Sequence, residues 1–204
     1  MNPHFLRAVI AMLSLKGEFK VVLWTFIFAL SLPLIAVFTI ANTGIGIVSD
    51  AIVKIDVVTH LIQIRDATGN VVAEIQAAST WPIKGTVTLE FGVSHLPYQP
   101  LHTGIDIATT RGDPVTAFMR GKVSHVGNLS WGYGKHVIVE HENNITSLYA
   151  HFDTVLVKEG QEVAPGDVLG LEGSTGWSTG PHVHFEVRVF GIPVNPRTFV
   201  EGEL

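Results

Sequence analysis

Cysteine is absent from the 204 residues, so no disulfide supports the fold, and any metal ligand must come from histidine or carboxylate side chains. That absence is compatible with either side of a membrane. Positive charge is scarce: 13 basic residues against 18 acidic ones give a formal charge of -5, which excludes the broad basic surface used to hold nucleic acid. After Trp81 there is no amphipathic helix of useful length, and no internal repeat or low-complexity tract occurs anywhere. What the chain does have is 20 glycines, 10 histidines and one long apolar run.

That run, Val21 to Ala41, is uncharged and interrupted only by Thr25, Ser31, Pro33 and Thr39. About 20 such residues cross a hydrocarbon core of about 30 Å, so one transmembrane helix is expected within residues 21–47. Arg7, Lys16 and Lys20 precede it with only Glu18 opposing, whereas Asp50 is the first charge beyond it. The positive-inside rule then keeps residues 1–20 as a short cytoplasmic segment and places the rest outside the cell membrane. A cleaved signal peptide would have a shorter apolar region and a small-x-small site, which Ala41-Asn42-Thr43-Gly44 matches poorly, so a retained anchor is expected. Residues 48–80 change character: Leu61 to Arg65 and Val71 to Ile75 flank the turn residues Asp66 to Asn70, which predicts a β-hairpin serving as stalk or linker.

From residue 81 to 204, glycine and proline punctuate short Val- and Ile-rich runs such as Val87-Thr88-Leu89 and His136-Val137-Ile138-Val139. This rhythm predicts an all-β domain, a sandwich or barrel of antiparallel sheets whose loops carry a groove. Val157 to Gly170 has the paired turns of biotinyl or lipoyl carriers, but Lys158 is misplaced for a prosthetic group, so these turns are scaffold.

Three stretches carry chemistry. In Pro181-His182-Val183-His184-Phe185-Glu186, alternation along a strand puts His182 and His184 on one face. Alone, His-x-His also fits two polar positions on a half-exposed strand. A second stretch, His102-Thr103-Gly104-Ile105-Asp106, gives His102 and Asp106 the same parity, with no side chain at Gly104 to obstruct approach. Catalytic zinc takes three protein ligands at roughly 2.0 to 2.2 Å and keeps one position for water. His102, Asp106 and one histidine of the His182/His184 pair form such a set, which leaves the other for proton transfer. In the third stretch, Tyr149-Ala150-His151, equal parity lets both Tyr149 and His151 face the groove, where Tyr149 stabilises an oxyanion or lines the wall. Glu186 has the parity of His184 but stands a step farther along, which suits a supporting role.

In this order these motifs resemble the lysostaphin-type (LytM-domain) zinc metallopeptidases that cut peptidoglycan peptides. The likeness runs from about Pro82 to Pro196 and includes Phe91-Gly92, the Gly132-Tyr133-Gly134 turn, and Gly173-Ser174-Thr175-Gly176. Asn143-Asn144 stands where the family often has a glycine turn, and Phe152 where leucine is usual. The resemblance implies Zn²⁺ held by His102, Asp106 and His184, with His151 and His182 as the two non-ligand histidines of the mechanism. It implies a zinc endopeptidase for peptidoglycan peptides, which the apolar run Val21 to Ala41, outside the resemblance, is expected to anchor in the membrane, with no oligomeric state assigned. Relatives lacking the ligands activate other wall hydrolases, so the alternative is a catalytically silent envelope protein that binds wall peptides or a partner hydrolase.

Overall fold

The computed structural model describes residues 17–76, 80–93, 101–202 and 204. The chain divides into two compact units after Ala41. Helix α1 (Gly17–Ile52) contains the apolar run, and the side chains of Val21, Trp24, Phe26, Phe28 and Leu32 on it are exposed. The expected span falls in part on residues 30 and 33–43, whose side chains lie outside the described residues. Among the described residues no helix is long and apolar enough to cross a membrane.

Beyond the helix, three strands rather than two form the first sheet. They are β1 (Val53–Ile55), β2 (Ile62–Arg65) and β3 (Val71–Ile75), all antiparallel in the order β1-β2-β3. Asp66 shapes the β2–β3 turn by accepting the backbone N–H groups of Thr68 and Asn70 on one carboxylate oxygen. A lone hairpin is marginal in water. Here Val53, Ile62 and Ile64 are buried in the same apolar cluster as Trp81, Ile83 and Val194, which supplies the missing burial.

The remaining strands are β4 (Thr86–Leu89), β5 (Ile105–Ala108), β6 (Pro114–Thr116), β7 (Gly121–Asn128), β8 (Lys135–Glu140), β9 (Ile145–Ala150), β10 (Thr154–Val155), β11 (Glu162–Val163), β12 (Val168–Leu171), β13 (Val183–Val189) and β14 (Ile192–Val194). An eight-stranded antiparallel sheet runs β11-β7-β8-β9-β13-β5-β4, with β14 also paired to β13, and a smaller sheet runs β10-β12-β6. The fold is all-β and antiparallel, as the spacing of short runs predicts.

Register decides what each face carries, because residues directly opposite in an antiparallel pair share a face. Phe185 pairs with Ile105 on one side and Tyr149 on the other, and Tyr149 pairs with Val137. These side chains, with Val183, Val187, Ile107 and Val139, are fully buried and make the core face. Burial of each large apolar side chain contributes about 1.5–3 kcal/mol. On the opposite face of β13, His184 pairs with Asp106 of β5 and with Ala150 of β9, so a small residue flanks the imidazole on the side away from Asp106. Asn143 and Asn144, with φ of 58° and 57°, close the β8–β9 hairpin in the left-handed conformation that Asn tolerates, which is why glycine is dispensable there.

Candidate metal centre

Asp106 and His184 face each other across adjacent strands, and His102 reaches them from the loop before β5. His102 and Asp106 were expected on one strand, but β5 begins only at Ile105. Gly104 permits the turn between them: a Cβ there would lie 2.4 Å from the Phe185 carbonyl oxygen and 2.9 Å from Glu186 Cγ. The three donor atoms converge. Asp106 Oδ1 is 3.0 Å from His102 Nε2 and 2.7 Å from His184 Nδ1, and the two nitrogens are 3.0 Å apart. Tetrahedral ligands at about 2.05 Å from zinc sit about 3.3 Å apart, so a bound ion would spread these atoms by only a few tenths of an ångström.

The far sides of both rings set their tautomers. His102 Nδ1–H donates to the Glu90 carbonyl at 2.9 Å, and His184 Nε2–H donates to Glu186 Oε1 at 2.9 Å. In neutral rings the two inward nitrogens therefore carry lone pairs. They point at each other and at a carboxylate oxygen, which is unfavourable unless a cation stands among them. Without an ion, a proton takes that place. Burial opposes a charge on His184, but hydrogen bonds to Asp106 and Glu186 outweigh it and raise its pKa to about 9. Burial likewise works against Asp106, yet hydrogen bonds from His102 and His184 hold its carboxyl well below the usual range.

Glu186 is fully buried and fully partnered. Its Oε1 also accepts from Thr103 Oγ1 at 2.5 Å and Tyr133 Oη at 2.7 Å, and Arg188 Nε donates to Oε2 at 2.7 Å. Burial opposes its charge, but the bond to His184 and the nearby His184 and Arg188 charges lower its pKa to about 2. Tyr133, by contrast, is pushed up to about 12 by burial and by the Glu186 charge.

His151 and His182 stand beside this cluster, their ring centroids 4.6 Å apart, and His151 is 6.1 Å from the His184 ring. His151 Nδ1–H donates to the Thr175 carbonyl at 2.7 Å, which leaves Nε2 with a free lone pair. Burial and the neighbouring His182 lower the His151 pKa to about 4. His182 Nδ1 lies 2.9 Å from the Gly180 carbonyl, and its Nε2 is 3.8 Å from Asp106 Oδ2.

Tyr149 is not in the groove. Its ring is fully buried against Phe185, and its hydroxyl accepts the Phe118 N–H at 3.1 Å and sits 3.0 Å from Ser147 Oγ, on the core face of the sheet. Equal parity misplaced it because β9 ends at Ala150 and His151 turns out with a φ of 68°. Thus one of the pair faces the core and the other the cleft. Thr103, Tyr133 and Arg188 were missed as site residues. Tyr133 between two glycines was the signal available, but nothing local ties it to Glu186, 53 positions away.

The cleft at the centre measures about 250 Å³ and is lined by Thr103, Tyr133, His151, His184 and the indoles of Trp131 and Trp177. Larger hollows of about 600 and 620 Å³ lie beside Arg120 and beside Trp81; they hold no convergent ligand set, so size does not mark the site. Among the described residues His102, Asp106 and His184 form the only group of three or more such side chains whose ligand atoms lie within 4.8 Å of one another.

Known proteins resemble this part of the chain. Residues 100–196 match the profile of peptidase family M23. The DD-carboxypeptidase/endopeptidase Mpg of Neisseria meningitidis is 48% identical over 96 residues, covering 47% of this chain and 22% of Mpg. The murein hydrolase activator NlpD of Escherichia coli is 41% identical over 120 residues, 59% of this chain and 30% of NlpD. The chain thus spans about a fifth to a third of the length of these curated relatives. Among solved structures, the catalytic domain of the prophage-encoded M23 protein EnpA from Enterococcus faecalis is 37% identical with a TM-score of 0.54, covering 60% of this chain and 96% of that one. The lysostaphin catalytic domain from Staphylococcus simulans is 29% identical with a TM-score of 0.53, over 56% of this chain and 91% of that one. With the antiparallel fold, the acceptor-lined centre and this match together, the chain belongs to peptidase family M23.

Proposed function

We propose that the chain is a membrane-anchored zinc endopeptidase that hydrolyses peptide bonds of peptidoglycan. The observation that carries this reading is the convergence of His102 Nε2, Asp106 Oδ1 and His184 Nδ1 within 3.0 Å of one another, an arrangement that needs a cation or a proton among the three atoms. Two imidazoles and a carboxylate suit zinc, and Glu90 and Glu186 fix the ring orientations. When bound there, the ion supplies Lewis acidity and brings the pKa of water from 15.7 towards about 7.

The chain's own groups do the rest. His151, neutral because burial depresses its pKa, offers Nε2 as an acceptor for the proton of the attacking water. His182, its ring 4.6 Å from that of His151 and its Nδ1 against the Gly180 carbonyl, presents Nε2 in the same way; whichever ring is protonated hydrogen-bonds the oxyanion of the scissile carbonyl, so the two histidines are interchangeable in these roles by geometry alone. The low charge of the cleft lining suits an extended peptide with small side chains.

Membrane attachment is part of the proposal. It rests on the uncharged run Val21 to Ala41 and on the basic residues Arg7, Lys16 and Lys20 before it, which leave the N-terminus in the cytoplasm and the catalytic domain outside. Cell fractionation tests it: the full chain is expected in the membrane pellet and resists carbonate extraction, and recovery in the wash would refute an anchor.

The name of NlpD favours a second reading, an activator of another hydrolase without activity of its own. The complete ligand set argues for catalysis. Incubating the full chain in detergent with purified cell wall, with and without a chelator, separates the two. Chelator-sensitive release of free amino groups is the expected result, whereas retention on the wall without release supports the activator.

A further inference from the structure

Two largely exposed tryptophans line the cleft. Trp131 and Trp177 are 60% and 63% exposed, yet their rings lie 6.2 Å apart at 56°. Scattered exposed apolar side chains need no explanation, but two adjacent indoles left in water beside a candidate active site do.

The loops that carry them are tied together. The Trp177 N–H donates to the Gly132 carbonyl at 2.8 Å, joining the two loops backbone to backbone. Gly176 and Gly134 have φ of +72° and +61°, and a Cβ at Gly176 would lie 2.4 Å from the Gly132 oxygen, so only glycine allows this approach. Thr175, next to Gly176, accepts the His151 Nδ1–H on its carbonyl and the Lys135 N–H on its hydroxyl. The indoles and His151 therefore ride on one scaffold, and whatever touches the indoles is held in register with His151.

We propose that Trp131 and Trp177 form a specificity wall that takes a small, uncharged residue of the peptide next to the bond being cut. This rests on the hydrolase reading above. The two indoles and His151 line the same cleft, of about 250 Å³, so the contact falls within a residue or two of the reacting bond, given about 3.3–3.6 Å per extended residue. Among the described residues no Lys, Arg, Asp or Glu side chain lines it, and Glu186 and Arg188 are tied to each other. A carboxylate against the indoles loses water and gains no partner. An ammonium group, which an isolated indole face attracts, meets the divalent ion of the proposed centre across the same cleft.

The test uses the full chain in detergent, loaded with zinc, and a four-alanine peptide whose central amide is replaced by a ketomethylene group so that it binds without being cut. Companion peptides carry Glu or Lys in place of an alanine beside that group. The alanine peptide is expected to bind about 10-fold more tightly than either companion, and Trp131→Ala or Trp177→Ala to weaken it by about 10-fold and erase the preference. Trp131→Phe and Trp177→Phe, with zinc content as the check on folding, are expected to retain most of it. Equal binding of the three peptides, tighter binding of the Lys peptide, or alanine variants that keep both zinc and affinity would overturn the wall. Cleavage of the all-amide peptide is scored separately. Tryptophan-dependent binding without cleavage upholds the wall and sinks the hydrolase reading, and cleavage indifferent to both tryptophans sinks the wall alone.

Discussion

Glu186 Oε1 lies 2.9 Å from His184 Nε2, on the opposite edge of the ring from Asp106. The two residues sit on the same face of β13, so one buried strand supplies both a candidate metal ligand and the carboxylate that orients it.

Glu186→Gln should therefore weaken zinc binding by about 10- to 100-fold, because an amide no longer enforces the N–H on Nε2. Competition against a fluorescent chelator measures this. An unchanged affinity would mean that the strand alone orients His184.

His184→Ala and His182→Ala should part ways. The first removes a converging donor and is expected to leave less than stoichiometric zinc by elemental analysis. The second should keep zinc and lose about 10²- to 10⁴-fold in turnover. Full zinc in the His184 variant would refute its role as ligand.

Tyr149→Phe is a structural change. Losing the hydroxyl leaves the buried Phe118 N–H without its acceptor, which costs about 1–3 kcal/mol of stability in denaturant melts. The value of kcat/KM should stay within twofold, and a large fall would return Tyr149 to the reaction.

His141 gives the domain a dependence on acid. Its Nδ1 meets the Arg120 carbonyl and its Nε2 the Ser147 hydroxyl, and burial lowers its pKa from the ordinary 6.5. The unfolded chain therefore binds this proton more readily than the folded one. Stability is full above about pH 6.5 and falls as the pH drops towards the folded value, by at most about 1.4 kcal/mol per unit for one proton. His141→Gln should flatten the difference between melts at pH 7.5 and 5.5, and an identical slope would place the effect elsewhere.

Gly176→Ala puts a side chain at a φ of +72° and against the Gly132 carbonyl. A loss of at least about 1 kcal/mol is expected, with a fall in turnover as Thr175 shifts His151. A variant as active and stable as the parent would show the loop to be compliant.

Much of the fold was legible because strand alternation is local. Val183, Phe185, Val187 and Val189 advertise one buried face of β13, and His184 and Glu186 the other. The same rule failed at Tyr149 and His151 because parity holds only while the backbone stays extended, and His151 leaves that region. The third strand of the first sheet, Val53–Ile55, was too short to stand out from the helix that runs into it.

By itself the sequence determined the donor types, their order along the chain, the uncharged run near the N-terminus and the all-β character, since each depends on composition and near-neighbour spacing. Only the tertiary structure decided which nitrogen of each histidine points inward, which carboxylate stands behind His184, and that two tryptophans 46 positions apart share a wall. These facts depend on pairing between residues distant in sequence, where register and loop packing, not local preference, bring the atoms together.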